Sequence, residues 1–335
     1  MTVTRAQGRL AVLISLALIV TGLATGAGDV HAAFPGENGR IAVFSEQFAW
    51  PPGPFDPRPP LEPDLLSSRI ESYLPNGRGR RVLHTLPADE FLHYGGDNGL
   101  AWSPNGRLLA FEEGTRLAIV RHDGTGLRRL PKLTWRDARP AWSPDGRRLA
   151  FAGTDECRPS IFCSHLYTVR RDGKGLHRVT ERGAAVPAWS STGTIAFRSG
   201  QANTLHRVRP DGSRLGRLFR PPEQGSYEPD WSPDGKRLVF SAPAHQFGDI
   251  LHIFTVRADG KGLRQLTYDD HESDSSPAWS PDGRYIAFIR RSTDLYVMRS
   301  NGREQRRIVD VGYDPDFPSA PYTELSHPAW QPLPR

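Results

Sequence analysis

Helical periodicity and cysteine are the features that this sequence has least of. Nothing in its repeating part has the 3.6-residue hydrophobic period of an amphipathic helix, so a helical solenoid is excluded. The chain has two cysteines among 335 residues, and no second Cys or His pair stands at the spacing of zinc ligands. Strands are therefore expected to build the fold, without a four-ligand zinc site.

Lysine and hydrolase motifs are scarce as well. The formal net charge is +6, but Lys occurs only at positions 132, 174, 236 and 261, so Arg carries most of the positive charge. A bias toward Arg explains this balance without nucleic acid as a partner. No Gly-x-Ser-x-Gly element is present, so the nucleophile elbow of an α/β-hydrolase is excluded.

The N-terminus has the pattern of a secretory signal peptide at residues 1–32. Arg5 and Arg9 precede an apolar run over residues 10–23, and small residues end the segment at Ala32. The run is short for a membrane span, and an uncleaved anchor is the alternative. We expect an exported protein, extracellular, periplasmic or associated with the cell wall, whose mature chain begins near Ala33.

The two cysteines, Cys157 and Cys163, lie close together in this exported chain. An oxidising compartment favours a disulfide between them that closes a small loop. A metal-binding pair is the weaker alternative.

A short motif around tryptophan recurs along the mature chain. At residues 277–288 it consists of a strand ending at Trp279, a Ser-Pro-Asp-Gly turn, and a strand with alternating apolar residues. Pro, Asp and Gly are the residues that such a tight hairpin turn requires. The same pattern recurs at five more tryptophans: Trp102, Trp142, Trp189, Trp231 and Trp330.

A second hairpin with an Asp-Gly or Asn-Gly turn alternates with the first, for example at residues 166–180. Two hairpins per repeat give four antiparallel strands, and the tryptophans are 40, 47, 42, 48 and 51 residues apart, as in propeller blades. The chain opens on a second strand after Glu37 and closes on a first strand at Trp330. Residues 33–335 are therefore predicted to form an all-β, six-bladed propeller whose last strand completes the first blade.

With these motifs the chain resembles the TolB-type six-bladed propellers, which carry the WD40-like PD40 repeat Ala-Trp-Ser-Pro-Asp-Gly. The fourth blade departs from the pattern, with Ser190-Ser191-Thr192-Gly193 at the turn. The resemblance covers the mature chain and implies binding of other proteins in the cell envelope. The extra N-terminal domain of TolB has no counterpart between the predicted signal and Phe34. The motif itself is structural and carries no chemistry.

The repeated tryptophans and turn aspartates have structural interpretations. We interpret the tryptophans as core residues between blades and not as a stacking platform for sugars or bases. Asp145, Asp234 and Asp282 are interpreted as turn residues that accept hydrogen bonds from their own turns and not as metal ligands.

Two polar or proline-rich segments are candidates for binding. The cluster at residues 268–274 offers oxygen ligands for calcium, although a solvated acidic loop is the default interpretation. The segment at residues 46–67, rich in proline and aromatic residues, either binds a partner or is disordered.

Strand parity predicts two faces of opposite charge. Turns within the hairpins lie on one face, and the loops between hairpins and between blades lie on the other. The first set is rich in Arg and Lys and the second in Asp and Glu. The predicted basic face, which would lie against an anionic envelope surface, includes Arg147, Arg148, Lys174, Lys261 and Arg303. The acidic face would bind a cationic ligand, a peptide or a metal, and its candidate residues are Trp50, Phe55, Asp97, Asp137, Glu228, Asp270, His271, Glu272, Asp274 and His327.

The function expected from these observations is a monomeric, non-catalytic binding or scaffold module for an envelope protein, peptide or polymer. The alternative is a hydrolase or lyase with a metal near the central channel, toward which Glu228, His271 and His327 could point. We rank it second because the sequence shows no convergent set of such residues at one blade position. No cofactor is expected, calcium being the single candidate.

Overall fold

The computed structural model describes residues 36–49, 64–87, 99–134, 136–154, 164–181, 183–199, 204–220, 227–244, 250–311 and 322–333. The predicted signal peptide lies outside these ranges, as do Trp50, Phe55, Asp97, Cys157 and Cys163. Asp137 is described by its backbone alone. Among the described residues, no helix is long and apolar enough to cross a membrane.

Six four-stranded antiparallel sheets make up the described chain. Blade 1 consists of β24 (Tyr322–Leu333), β1 (Glu37–Ala49), β2 (Asp64–Tyr73) and β3 (Arg81–Leu86). Blade 2 consists of β4 (Leu100–Trp102), β5 (Leu108–Glu113), β6 (Arg116–Arg121) and β7 (Arg128–Arg129). Blade 3 consists of β8 (Arg136–Trp142), β9 (Arg148–Thr154), β10 (Ser164–Arg170) and β11 (His177–Arg178).

The remaining blades have the same order. Blade 4 consists of β12 (Ala184–Trp189), β13 (Ile195–Ser199), β14 (Leu205–Val208) and β15 (Gly216–Phe219). Blade 5 consists of β16 (Tyr227–Trp231), β17 (Arg237–Pro243), β18 (Leu251–Arg257) and β19 (Arg264–Gln265). Blade 6 consists of β20 (Asp274–Trp279), β21 (Tyr285–Arg290), β22 (Asp294–Arg299) and β23 (Arg306–Asp310). In each blade we name the four strands a to d in this order.

The ring closes as the sequence predicts. Strand β24 pairs antiparallel with β1, and Trp330 lies opposite Ile41. The last strand of the chain therefore supplies strand a of the first blade, so that this blade has four strands like the other five.

The turns after the tryptophans confirm the structural role of their aspartates. In blade 6, Gly283 has a φ of 71° and donates its N–H to the Ser280 carbonyl at 2.9 Å. The Asp282 carboxylate accepts hydrogen bonds from Ser280 Oγ at 2.6 Å and from the Arg284 N–H at 2.9 Å. Blade 4 keeps the same turn, with Thr192 in place of Asp and Gly193 at φ 80°. Aspartate in these turns organises the backbone locally.

Apolar side chains fill the space between neighbouring blades. The six repeated tryptophans are buried, with exposed fractions of 2 to 6%. Beside them, strand b places a buried Phe against the preceding blade in blades 2 to 6, namely Phe111, Phe151, Phe197, Phe240 and Phe288. The tryptophans are therefore part of the core, as the sequence predicts.

Antiparallel order within every blade assigns each connection to a face of the ring. The a-to-b and c-to-d turns lie on one face, which we call the turn face. The b-to-c loops and the connections between blades lie on the other, which we call the loop face.

Candidate functional site

A central channel is lined by the inner strands of all six blades and encloses a cavity of about 170 Å³. The side chains closest to its loop-face end come from the residue three positions before each repeated tryptophan. We call these six residues the channel ring: Gly99, Arg139, Val186, Glu228, Ser276 and His327.

An unusual backbone conformation accompanies the channel ring. Five of its members, all except Gly99, are non-glycine residues with φ between 50° and 55°. The pairing of each of these strands shifts register around the same point, as between Tyr227 and Asp230 in β16. A β-bulge bends a strand and re-aims a side chain, and a left-handed non-glycine residue is strained. The strain therefore recurs where strand a lines the channel.

Gly99 occupies the channel-ring position in blade 2 because of its neighbour. A Cβ atom at Gly99 would lie 2.7 Å from the Cα of Arg139, which is closer than real Cβ atoms approach another carbon. A side chain is therefore excluded beside Arg139, whose own side chain extends toward Glu228.

Three charged or titratable side chains meet in the ring from alternate blades. Glu228 Oε1 of blade 5 lies 3.5 Å from Nη1 of Arg139 in blade 3 and 3.2 Å from Nε2 of His327 in blade 1. Glu228 Oε2 accepts the Ser276 N–H of blade 6 at 2.7 Å. One carboxylate therefore bridges four blades, and both of its oxygens have partners.

The surroundings of Glu228 favour its charged form. Burial by itself would raise the pKa of Glu228, but the hydrogen bond and charge of His327, the Arg139 guanidinium and the Ser276 amide together lower the pKa well below its usual range. Glu228 keeps 19% of its side chain exposed, and that surface faces the channel. The ring thus holds a fixed negative charge that its neighbours neutralise.

Asp230 supplies a second carboxyl group to the channel, and its pKa is shifted in the opposite direction. It stands directly before Trp231, at a position occupied by Ala in the other five blades. Its oxygens accept the N–H of Trp231 at 2.9 Å and the N–H of Trp279 at 2.8 Å. Burial raises the pKa of Asp230 to about 7, although these two amides oppose the shift. Asp230 therefore titrates near neutral pH.

The predicted acidic cluster at residues 268–274 separates into paired and exposed groups. Asp274 is buried and forms an ion pair with Arg290, with Oδ1 at 2.7 Å from Nε. Glu272 pairs with Arg291. Asp270 and His271 are exposed, and Asp270 lies 3.9 Å from His252 Nε2. Two of the predicted ligands are thus committed to neighbouring arginines, and Asp270 and His271 are the ones that face solvent.

The predicted basic residues are all exposed on the turn face, and they are Arg147, Arg148, Lys174, Lys261 and Arg303. Some of the arginines that flank these turns are neutralised locally. Arg170 lies 2.6 Å from Asp172, and Arg257 lies 2.9 Å from Asp259.

The sequence identified part of the channel ring and missed the rest. It pointed to Glu228 and His327 but not to Arg139 or Ser276, and it grouped with them His271, which lies in the exposed loop before β20. The sequence showed no convergent set of acidic and His side chains at one blade position; in the structure Glu228 and His327 do share one position and meet, with Arg139 as the third member. Comparing the residues three positions before each tryptophan would have found them.

No group of three or more His, Cys, Asp and Glu side chains within the described ranges is placed to hold a metal ion. In the channel ring the second side chain that meets Glu228, besides His327, is the guanidinium of Arg139, which has donors only and does not ligate a metal. A cation beside it would meet a like charge.

Comparison with known proteins places the chain by its fold. No family model matches it, and no curated protein matches it. Among solved structures it is similar to a TolB-type protein from Agrobacterium tumefaciens, with a TM-score of 0.60 and 18% identity over 86% of this chain and 99% of that one.

TolB from Acinetobacter baumannii gives a TM-score of 0.59 and 18% identity over 88% of this chain and 67% of that one. An oligogalacturonate lyase solved with manganese gives a TM-score of 0.51 and 15% identity over 80% and 83%. The chain is therefore a TolB-like six-bladed β-propeller in fold, as its repeats predict.

Proposed function

We propose that this propeller is an exported, non-catalytic binding module of the cell envelope. Its turn face rests on an anionic surface, and its loop face presents the channel mouth to a protein or peptide partner. The predicted signal peptide and the fold shared with TolB support the location, and the charge on the turn face supports the orientation.

The exposed basic side chains of the turn face carry this proposal. Arg147 and Lys174 of blade 3 and Lys261 of blade 5 belong to different hairpins, yet strand parity places them on one side of the ring. All three are exposed, and their backbone N–H groups are held by turn aspartates, so the turns are fixed while the side chains reach solvent. A flat array of cations attracts an anionic surface with an affinity that salt weakens.

The channel supports binding over catalysis. Both oxygens of Glu228 have partners, and Arg139 and His327 point at the same carboxylate. A general base needs a site from which it can reach the proton of a substrate. Mutual pairing across alternate blades instead stabilises the inner wall of the loop face, where a partner would dock beside the exposed Asp270 and His271.

Sedimentation with liposomes tests the orientation. The mature chain should bind vesicles with an anionic headgroup, bind neutral vesicles weakly, and lose affinity steeply as salt rises. The triple variant Arg147→Glu, Lys174→Glu, Lys261→Glu should bind less than the wild type at every salt concentration.

A matched control separates a charged face from net charge. Arg116, Lys132 and Arg220 are exposed residues of the loop face, and reversing all three changes the net charge by the same amount. This control should retain most of the binding to anionic vesicles. Equal losses in the two triple variants would show that net charge alone drives binding, and the model of two faces would be rejected.

A further inference from the structure

The junction between blade 6 and blade 1 differs from the other junctions of the ring. In blades 3, 5 and 6 the buried Phe of strand b stacks on an aromatic residue directly opposite it on strand c, as Phe288 does on Tyr296 with ring centroids 5.5 Å apart. In blade 1 the corresponding pair is Val43 and Glu71. A smaller and a polar side chain thus stand where blades 3, 5 and 6 have two aromatic rings.

A cleft of about 510 Å³ opens at this junction. One wall is the face of blade 1 formed by β24, β1 and β2, and the other is the apolar end of β23 with Ile308, Val309 and Val311. The c-to-d turn of blade 1 packs on β23 at the turn-face end, where a side chain at Gly77 would overlap the Ile308 carbonyl. The cleft is therefore closed at its turn-face end.

Glu71 is the buried charge of this pocket and is fully committed. Only 1% of its surface is exposed. The Tyr73 hydroxyl donates to Oε2 at 2.6 Å, and Arg80 donates to Oε2 at 2.7 Å and to Oε1 at 2.5 Å. Burial raises the pKa of Glu71, but Arg80 and Tyr73 lower it overall, so the carboxylate stays charged and neutralises Arg80.

Arg69 is the second arginine that lines this pocket, and Glu71 is paired with Arg80 instead. It lies two residues before Glu71 on β2, so both side chains face the cleft. Among the residues that the structure describes, the half-buried Arg69 guanidinium has no hydrogen-bond or ion-pair partner, although Glu71 lies near enough to feel its charge. Asp310 on the opposite wall lies 3.0 Å from Arg307, which also lies 3.5 Å from Asp294. Two arginines line the cleft, Arg69 and Arg80, and Arg69 is the one without a carboxylate partner among the described residues.

Uncharged polar groups surround Arg69 in two rows across the sheet. Ser45 lies directly opposite Arg69, and Gln47 lies between Ser67 and Thr323. All of these side chains line the cleft. Hydroxyl and amide groups at this spacing can donate to or accept from a small polar ligand without adding charge.

We propose that the junction between blades 6 and 1 is a binding pocket for a small organic carboxylate. Arg69 holds the carboxylate, because a guanidinium presents paired donors that match its two oxygens. Ser45, Gln47, Ser67 and Thr323 bind the hydroxyl or amide groups beside it, and Val309 of β23 and the following Val311 cover an apolar side. Sugar acids and the C-terminal carboxylate of a peptide both have this chemistry.

Calorimetric titration of the mature chain tests the pocket with two carboxylate probes, sodium glucuronate and acetylated dialanine, each used separately. The first probe represents a sugar acid and the second a peptide C-terminus. At least one probe should bind at millimolar concentration, with glucose as the neutral control showing no heat. Binding of glucuronate alone assigns the pocket to sugar acids, and binding of the dipeptide alone assigns it to peptide termini. Arg69→Gln should weaken the binding at least about tenfold, the effect of losing one charge-assisted contact.

Two further variants show whether a loss of binding comes from the pocket itself or from a change in folding or charge. Ser67→Trp blocks the pocket from a partly exposed position and should also abolish binding, while melting near the wild-type temperature. Arg116→Gln removes the exposed arginine at the equivalent place in blade 2, since Arg116 lies opposite Glu113 in the sheet as Arg69 lies opposite Ser45. This variant should bind both probes as the wild type does. Absence of heat with both probes, or equal binding by wild type and Arg69→Gln, would overturn the proposal.

Discussion

Two positions in the inner strands, three residues apart, behave in opposite ways. The tryptophan position holds the same residue in all six blades, buried each time between two sheets. The channel-ring position holds Gly, Arg, Val, Glu, Ser and His. The backbone at the channel-ring position is nevertheless nearly the same from blade to blade, because five of the six ring residues share one left-handed conformation.

The difference separates the position of the repeat that builds the core from the position that carries functional groups. Each tryptophan meets the same surroundings, made of its own blade and the one before it, so the same side chain fits six times. In the channel ring, Arg139 and His327 meet Glu228 across the axis, and six like charges there would repel one another. The repeated position therefore supports the fold, and the varied position carries the charged side chains of the channel.

The largest effect is expected when the repeated position is broken. Trp142→Ala removes a side chain that is 2% exposed and a hydrogen bond of 3.0 Å from its Nε1 to the Ala101 carbonyl. The free energy of unfolding should fall by about 3 to 5 kcal/mol. Chemical denaturation of the mature chain measures it.

Val186→Gly is the matched change at the varied position. Val186 is a β-branched residue at φ 52°, so glycine relieves strain while the side-chain contacts are lost. Its stability should stay within about 1 kcal/mol of wild type. If Val186→Gly costs as much as Trp142→Ala, the two positions are not distinct in the way proposed.

A second prediction concerns the charge of Asp230. Because its pKa is raised in the folded state to about 7, the folded chain binds this proton more tightly than the unfolded chain. The stability that Asp230 contributes is therefore present at low pH and is lost as pH rises toward 7. Relative to Asp230→Asn, wild type should lose roughly 2 to 4 kcal/mol between about pH 4 and about pH 8.

Asp234→Asn is the control for this pH dependence. The pKa of Asp234 is lowered, since its hydrogen bonds from Ser232 and Lys236 outweigh burial. It stays ionised above about pH 5, so the difference between wild type and Asp234→Asn should be flat from there upward. A flat difference for Asp230→Asn as well would show that Asp230 is ionised throughout.

The smallest predicted effect is a difference in stability between variants of two repeated tryptophans, Trp231 and Trp189. Trp231 donates its Nε1 hydrogen to the Ala188 carbonyl at 3.2 Å, whereas Nε1 of Trp189 is buried without a hydrogen-bond partner within the described residues. Both Trp→Phe changes remove similar ring area, so Trp231→Phe should cost about 1 kcal/mol more than Trp189→Phe. Equal losses in thermal unfolding would mean that the hydrogen bond contributes nothing net.

Local sequence patterns were sufficient to predict the fold but predicted only part of the candidate site. The Ser-Pro-Asp-Gly turn and the period-two strand after Trp279 depend on about ten neighbouring residues, so they could be recognised directly. Glu228 and His327 could be named because each stands shortly before a repeated tryptophan. Arg139 was missed because its importance comes from partners on other blades, and Glu71 because nothing local distinguishes it from an ordinary strand residue.

By itself the sequence determined the number of blades, the closing strand, the core tryptophans and the face on which each turn lies, since all of these follow from short-range patterns repeated along the chain. Only the tertiary structure decided that Arg139 and His327 meet Glu228, from which they are separated by 89 and 99 residues. It also decided that Arg69 faces a cleft between the first and last blades. Both contacts arise when the ring closes, because closure sets the distances between side chains that no local pattern relates.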